Sequence, residues 1–204
     1  AALTVARALK IPDKISFEAL SEYKGSWRRF ELIEAELRGM IRGKTRKIII
    51  VNDYAHHPTN IRVTLKAARE KFPKKEIWAV FQPHQYQRTH YLFDDFVKVL
   101  KEALRPAQGK PQVDKLIITD IFTVAGREKK EIKKKVSSEK LVKAINKRTV
   151  HKKRTTVRRL CQAEYIPNID KVARYLKRNL RGGEVVIIMG AGDIYKLASI
   201  LVKW

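Results

Sequence analysis

Cysteine is almost absent from this chain of 204 residues; Cys161 stands alone. One thiol cannot close an intrachain disulfide, so the chain makes no use of an oxidising compartment, and a cytoplasmic location is expected. Long apolar runs are missing too: none approaches the ~20 residues that cross a bilayer, and no secretory signal is visible. Acidic residues are scarce beside basic ones, 21 Asp+Glu against 45 Lys+Arg, which leaves a formal net charge of +24. Such an excess concentrates anions (nucleotides, phosphates or nucleic acid) without choosing among them. No GxxxxGK[ST] loop occurs, so the chain carries no phosphate cradle of that kind. The chain lacks an initiating Met and opens with AALTVARALKIP, inside what reads as a helix. A fragment of a longer protein is therefore expected.

What is there is globular, with 44% hydrophobic residues. Leu3, Ala6 and Leu9 recur at helical spacing until Ile11-Pro12 ends the run. A second short helix follows, with Ser16 as candidate N-cap. YKGSWRRFELIEAEL is broken at Gly25, and a strand is expected after it. Gly39 and Gly43, with basic Arg42 between them, suggest a hairpin or loop. From Lys47 the pattern changes. KIIIV is a short β-branched run of the kind buried in parallel sheets. EIWAVFQP, KLIITDIF, RRLCQAEYI and EVVIIMGAGDI read as further strands. Between them lie helices: TLKAAREKF, a long stretch through YLFDDFVKVLKEAL, SSEKLVKAINK capped by Ser137 or Ser138, and NIDKVARYLKRNL stopped by Gly182-Gly183. IYKLASILVKW closes the chain. This alternation predicts an α/β fold, a mostly parallel, Rossmann-like sheet with helices on both faces. The sheet domain is expected over 43–204, and residues 1–42 as the end of a preceding domain.

Open α/β sheets bind ligands at the carboxyl ends of their strands. Three polar clusters fall there: Asp53-Tyr54-Ala55-His56-His57-Pro58, Gln82-Pro83-His84-Gln85-Tyr86-Gln87-Arg88-Thr89, and Gly190-Ala191-Gly192-Asp193. Four of the five histidines lie in or beside the first two. Adjacent imidazoles on an extended chain diverge, so the His56-His57 pair is a poor joint metal site; a capped turn accounts for one of them. Arg88, read as early in a long helix, opposes the helix dipole, which argues for a bound carboxylate or phosphate. The plain alternative is that Arg88 and the His84 region only cap that helix. GAGD lacks the full dinucleotide fingerprint, and a tight turn explains it equally well. Residues 127–159 hold 15 Lys/Arg against 3 Asp/Glu, half the chain's excess. A solvated helical face is the usual meaning of such a run, and without aromatics it makes no stacking platform for single strands.

NDYAHHPTNIRVTLKAARE, AVFQPHQYQRT with its following LFDDF, VSSEKL and VVIIMGAGDI, in this order, resemble the Mur ligases of peptidoglycan synthesis. YKGSWRRFELI resembles that family's junction between the central ATPase domain and the C-terminal domain. The resemblance implies a Mur ligase C-terminal domain, preceded by the end of the central one. FQPHQYQRT points to the branch that joins L-alanine to UDP-N-acetylmuramate, whereas DYAHHP is shared with the branch that recycles murein tripeptide. The implied enzyme uses ATP and Mg, bound mainly by the central domain, to phosphorylate the muramoyl carboxylate, which the amine then attacks. Partners implied are UDP-N-acetylmuramate, L-alanine, ATP and the N-terminal and central domains, with no membrane and no nucleic acid. Carried over by position, Arg29, Asp53 and Tyr54 would face the nucleotide, and His56, His84 and Arg88 the muramoyl-alanine end. No catalytic residue and no metal ligand is assigned within the chain, which by itself is expected to be inactive. Gln85, Gln87 and Asn52 depart from the family's frequent residues, and the basic stretch at 149–159 is foreign to it. A basic nucleic-acid-binding α/β domain is the reading from a different class.

Overall fold

The computed structural model describes residues 1–23, 25–37, 46–105, 111–126, 128–147 and 162–203. Two short helices, α1 (Ala2–Ala8) and α2 (Asp13–Glu22), come first. Ser16 is not a cap: it lies inside α2, which starts after Pro12, and its hydroxyl donates back to the Pro12 carbonyl. Then follow β1 (Glu31–Leu37), β2 (Arg46–Asp53), α3 (Pro58–Lys71), β3 (Ile77–Phe81), α4 (Tyr86–Tyr91) and α5 (Phe93–Ala103). The rest is β4 (Lys115–Ile118), α6 (Lys130–Lys135), α7 (Ser138–Asn146), β5 (Ala163–Tyr165), α8 (Ile169–Asn179), β6 (Val185–Met189) and α9 (Lys196–Val202).

The six strands form one sheet in the order β1-β2-β6-β3-β4-β5. β1 is antiparallel to β2, and every other pairing is parallel. β3 and β6, IWAVF and VVIIM, are buried at every position, as strands covered on both faces must be. Val51, Ala79 and Ile187 share one face, packed under α3, α5 and α7. Ile50, Trp78 and Val186 share the other, under α8 and α9. The expected fold is therefore the observed one. Residues 31–37 form an edge strand of this sheet, hydrogen-bonded to β2 from Glu31↔Asn52 to Leu37↔Arg46. The expected hairpin glycines Gly39 and Gly43, the basic stretch 149–159 and Cys161 lie outside the described residues.

The long helix expected after His84 is two helices that meet at Leu92. No glycine or proline marks that break. Each helix has its own anchors: the Tyr86 N–H is held by the Glu128 carboxylate at 3.1 Å and Thr89 is fully buried, while Phe96, Leu100 and Ala103 fix α5 on the sheet.

Candidate functional site

Because β6 lies between β2 and β3, their carboxyl ends bring three loops together that are far apart in sequence. The Gly190 N–H donates to the Asp53 carbonyl at 3.2 Å, and the Gln82 N–H to the Met189 carbonyl at 2.9 Å. A fourth loop joins from β4: the Gln85 N–H reaches the Phe122 carbonyl and the Phe122 N–H the Pro83 carbonyl, at 2.9 and 2.8 Å. All three clusters singled out in the sequence thus line one rim.

Asp53 ends β2 and is buried. Its Oδ2 accepts from the Phe30 N–H at 2.8 Å and its Oδ1 from the Ala55 N–H at 2.7 Å. Both oxygens are spent on main chain, so in this arrangement Asp53 holds the Arg28–Phe30 turn to the sheet. Arg29, next in line, is exposed, and its guanidinium lies 5.5 Å from the Tyr54 ring centroid. Tyr54 also meets His56 edge-on at 5.2 Å. His57 takes the plain role: it is exposed, and its ring nitrogen accepts from the Thr59 N–H at the start of α3, with Pro58 at the first helical position.

His56, His84 and Arg88 come together. The two imidazoles are 6.1 Å apart, and Arg88 donates to His84 Nδ1 at 3.2 Å. His84 lies flat on Phe122, with centroids 5.4 Å apart and planes 12° from parallel. Burial, then the neighbouring Arg88 charge, push the His84 pKa down to about 4; burial also lowers that of His56, whose backbone bond to Tyr54 opposes the shift. Both are neutral at pH 7 and sit beside cations, an environment suited to an anion and one that disfavours taking up a proton. Arg88 does not oppose the helix dipole as expected: α4 has six residues and Arg88 lies in its last turn, where a cation is favoured. Its case now rests on its place in this cluster.

Several rim residues were given no individual role by the sequence. Arg28 is 3% exposed and donates to the carbonyls of Gly190 and Gly192. Of the adjacent Arg28 and Arg29, only the backbone decides which turns inward. Arg28 and Phe30 both have left-handed φ, 55° and 52°, a conformation that costs about 1–3 kcal/mol each in non-glycine residues and persists only where the surroundings enforce it. Gln82 is buried, with Nε2 donating to Asp193 at 2.9 Å and Oε1 accepting from the Ile194 N–H at 3.2 Å. The glycine turn follows from this packing. Gly190 has φ 150°, and a Cβ there would stand 2.9 Å from the Gln82 carbonyl; one on Gly192 would overlap Gln82 Oε1 and the Phe122 ring. Asn52 is buried too, donating to Glu31 at 3.1 Å.

A family model described as Mur ligase, glutamate ligase domain matches residues 28–192, which begins at the buried arginine and ends within the glycine turn. The chain belongs to the Mur ligase family. This Mur ligase domain is 37% identical over 187 residues to the UDP-N-acetylmuramate–L-alanine ligase of Acetivibrio thermocellus, covering 91% of this chain and 32% of that protein. Its likeness to the enzyme of the same name from Clostridium acetobutylicum is 35% over 202 residues, 99% of this chain and 36% of that protein. The domain thus spans about a third of the length of these relatives. Among solved structures, the UDP-N-acetylmuramate-alanine ligase from Thermotoga maritima aligns with TM-score 0.62 at 20% identity, over 98% of this chain and 35% of that one. A murein peptide ligase from Psychrobacter arcticus aligns with TM-score 0.55, also at 20% identity, over 98% of this chain and 34% of its own. At that identity the structural likenesses establish the fold.

Proposed function

We propose that this Mur ligase domain is the C-terminal part of an ATP-dependent ligase that joins L-alanine to UDP-N-acetylmuramate in the cytoplasm, and that it closes over ATP and the muramoyl substrate. The observation that carries the reading is the convergence of His56, His84 and Arg88 beside Arg29 and Tyr54 on one rim, in a chain whose curated relatives bear that enzyme's name over most of its length. The substrates are anions, and preorganised donors in a partly dry site stabilise negative charge as it develops. Tyr54 offers a flat face and Arg29 a cation to the nucleotide. Arg88 offers a cation and His84 its remaining N–H to the muramoyl carboxyl, and His56, whose Nδ1 donates to the Tyr54 carbonyl, offers a neutral acceptor to the incoming amine.

Magnesium does not fit this rim by itself. Among the described residues no group of three or more His, Cys, Asp or Glu converges, and both Asp53 oxygens already serve main-chain donors. The metal and the phosphate cradle belong, in this reading, to the central domain that precedes the chain; ATP supplies the phosphoryl group that activates the carboxyl. The working division between the two is a proposal as well, and the Asp53–Phe30 bond argues for placing it before about residue 28. The test is a substrate comparison on the full-length protein. Turnover with L-alanine and not with murein tripeptide supports the reading. The reverse preference would assign the domain to the recycling ligase.

A further inference from the structure

We propose that Arg28 is the positioning residue of this rim: a side chain that touches no substrate and fixes Tyr54 and the Gly190–Gly192 turn relative to each other. The proposal rests on the reading above for what the rim binds, but its structural part stands alone. Four separate ties meet at this residue. Its guanidinium donates to the Gly190 carbonyl and, at 3.4 Å, to that of Gly192. Three rings surround the same group, with centroids at 4.8 Å for Tyr195, 4.9 Å for Tyr54 and 5.4 Å for Trp27. The Arg28 carbonyl accepts the Tyr54 N–H at 2.8 Å. Its own N–H donates to Glu31, the carboxylate that also holds Asn52. One residue thereby contacts the turn before β1, the loop after β2 and the loop after β6.

The chemistry requires arginine. One guanidinium nitrogen, Nη2, serves both carbonyls while the planar group lies beside three aromatic rings; an ammonium can reach a carbonyl but offers no flat face to the rings. Burial is costly for the cation and lowers the Arg28 pKa, opposed by Tyr54, Tyr195, Asp53 and Glu31. The left-handed backbone at Arg28 turns this side chain inward and leaves its neighbour Arg29 exposed over Tyr54. Losing the guanidinium would free Tyr54, and with it Arg29, while leaving the sheet beneath intact.

The experiment compares Arg28→Lys and Arg28→Met with the parent by amide hydrogen exchange and thermal melts on this chain, and by steady-state kinetics in the full-length enzyme. Exchange at Tyr54, Ala55 and Gly190–Asp193 should rise by about tenfold or more, with β3 and β6 amides unchanged, because local opening is separable from global unfolding. Arg28→Lys should not rescue it. In the enzyme, KM for ATP should rise on the order of tenfold while KM for L-alanine stays within about twofold, the split expected when only one subsite is loosened. Exchange within about twofold of the parent in both variants, or a rise shared equally by the core amides, would overturn the proposal. Full rescue by lysine would overturn it too. Local loosening without a change in KM for ATP upholds the positioning role and removes instead the assignment of Tyr54 and Arg29 to the nucleotide.

Discussion

Arg88 and His84 share a hydrogen bond, and that contact limits what each can do. With Arg88 donating to Nδ1, His84 must be neutral and carry its proton on the other nitrogen. If Arg88 serves a substrate anion in the complete enzyme, Arg88→Ala should cost about 2–5 kcal/mol of transition-state binding, with Arg88→Lys recovering only part. Steady-state kcat/KM for L-alanine measures this, and a near-normal value in Arg88→Ala rejects the role. A large fall in melting temperature instead would mean that Arg88 holds the turn. The histidine makes a separate prediction. Its folded pKa of about 4 lies below the ordinary 6.5, so the unfolded chain binds the proton first as pH falls. Stability from this group is complete above pH 6.5 and is lost as the pH drops towards 4. With His84 partly exposed, the loss should be about 1–2 kcal/mol. Urea melts of the parent and of His84→Gln between pH 7.5 and 4.5 should diverge in slope over that window; parallel curves would contradict the assignment.

At the scale of elements, the rim depends on loops that pack more tightly than their sequences suggest. GAGD reads as an unremarkable turn, yet the room for a Cβ at Gly192 is already filled by Gln82 and Phe122. Gly192→Ala should therefore destabilise the domain by about 1–3 kcal/mol, the range of overpacking a filled site. Equilibrium urea unfolding reads it, and a change under about 0.5 kcal/mol would mean that the loop gives way easily. The strands and most helices were legible beforehand because burial on both faces forces continuous apolar runs such as KIIIV and VVIIM. Ser137 was legible as a cap for a local reason, a hydroxyl accepting the Lys140 N–H three residues on at 3.2 Å. The break at Leu92 was not, since no glycine or proline marks it and the contacts that anchor the two helices come from Glu128 and the sheet.

For the whole molecule, the question is how much of an enzyme this domain represents. The rim supplies positioning and charge but no phosphate cradle. The isolated chain should fold and show no magnesium-dependent ATPase activity. Turnover by the purified chain that disappears in Asp53→Asn would overturn this, provided the variant still melts cooperatively. The net charge of +24 is consistent with the proposed anionic substrates, since a positive field would concentrate them and salt would screen it.

By itself, the sequence determined the α/β class, the parallel strands, the three polar clusters at strand ends and the family they resemble. Those features are local: period, apolar run length, turn residues and short motifs are written in neighbouring positions. Tertiary structure alone decided that β1 joins the sheet, that β6 separates β2 from β3, and that Arg28 turns inward while Arg29 does not. It also decided that Asp53 spends its carboxylate on the backbone and that His84 is stacked on Phe122 and neutral. Each of these depends on partners distant along the chain, from Gly190 meeting Arg28 to Phe122 meeting His84. Desolvation and hydrogen-bond geometry act only once folding has brought such groups together.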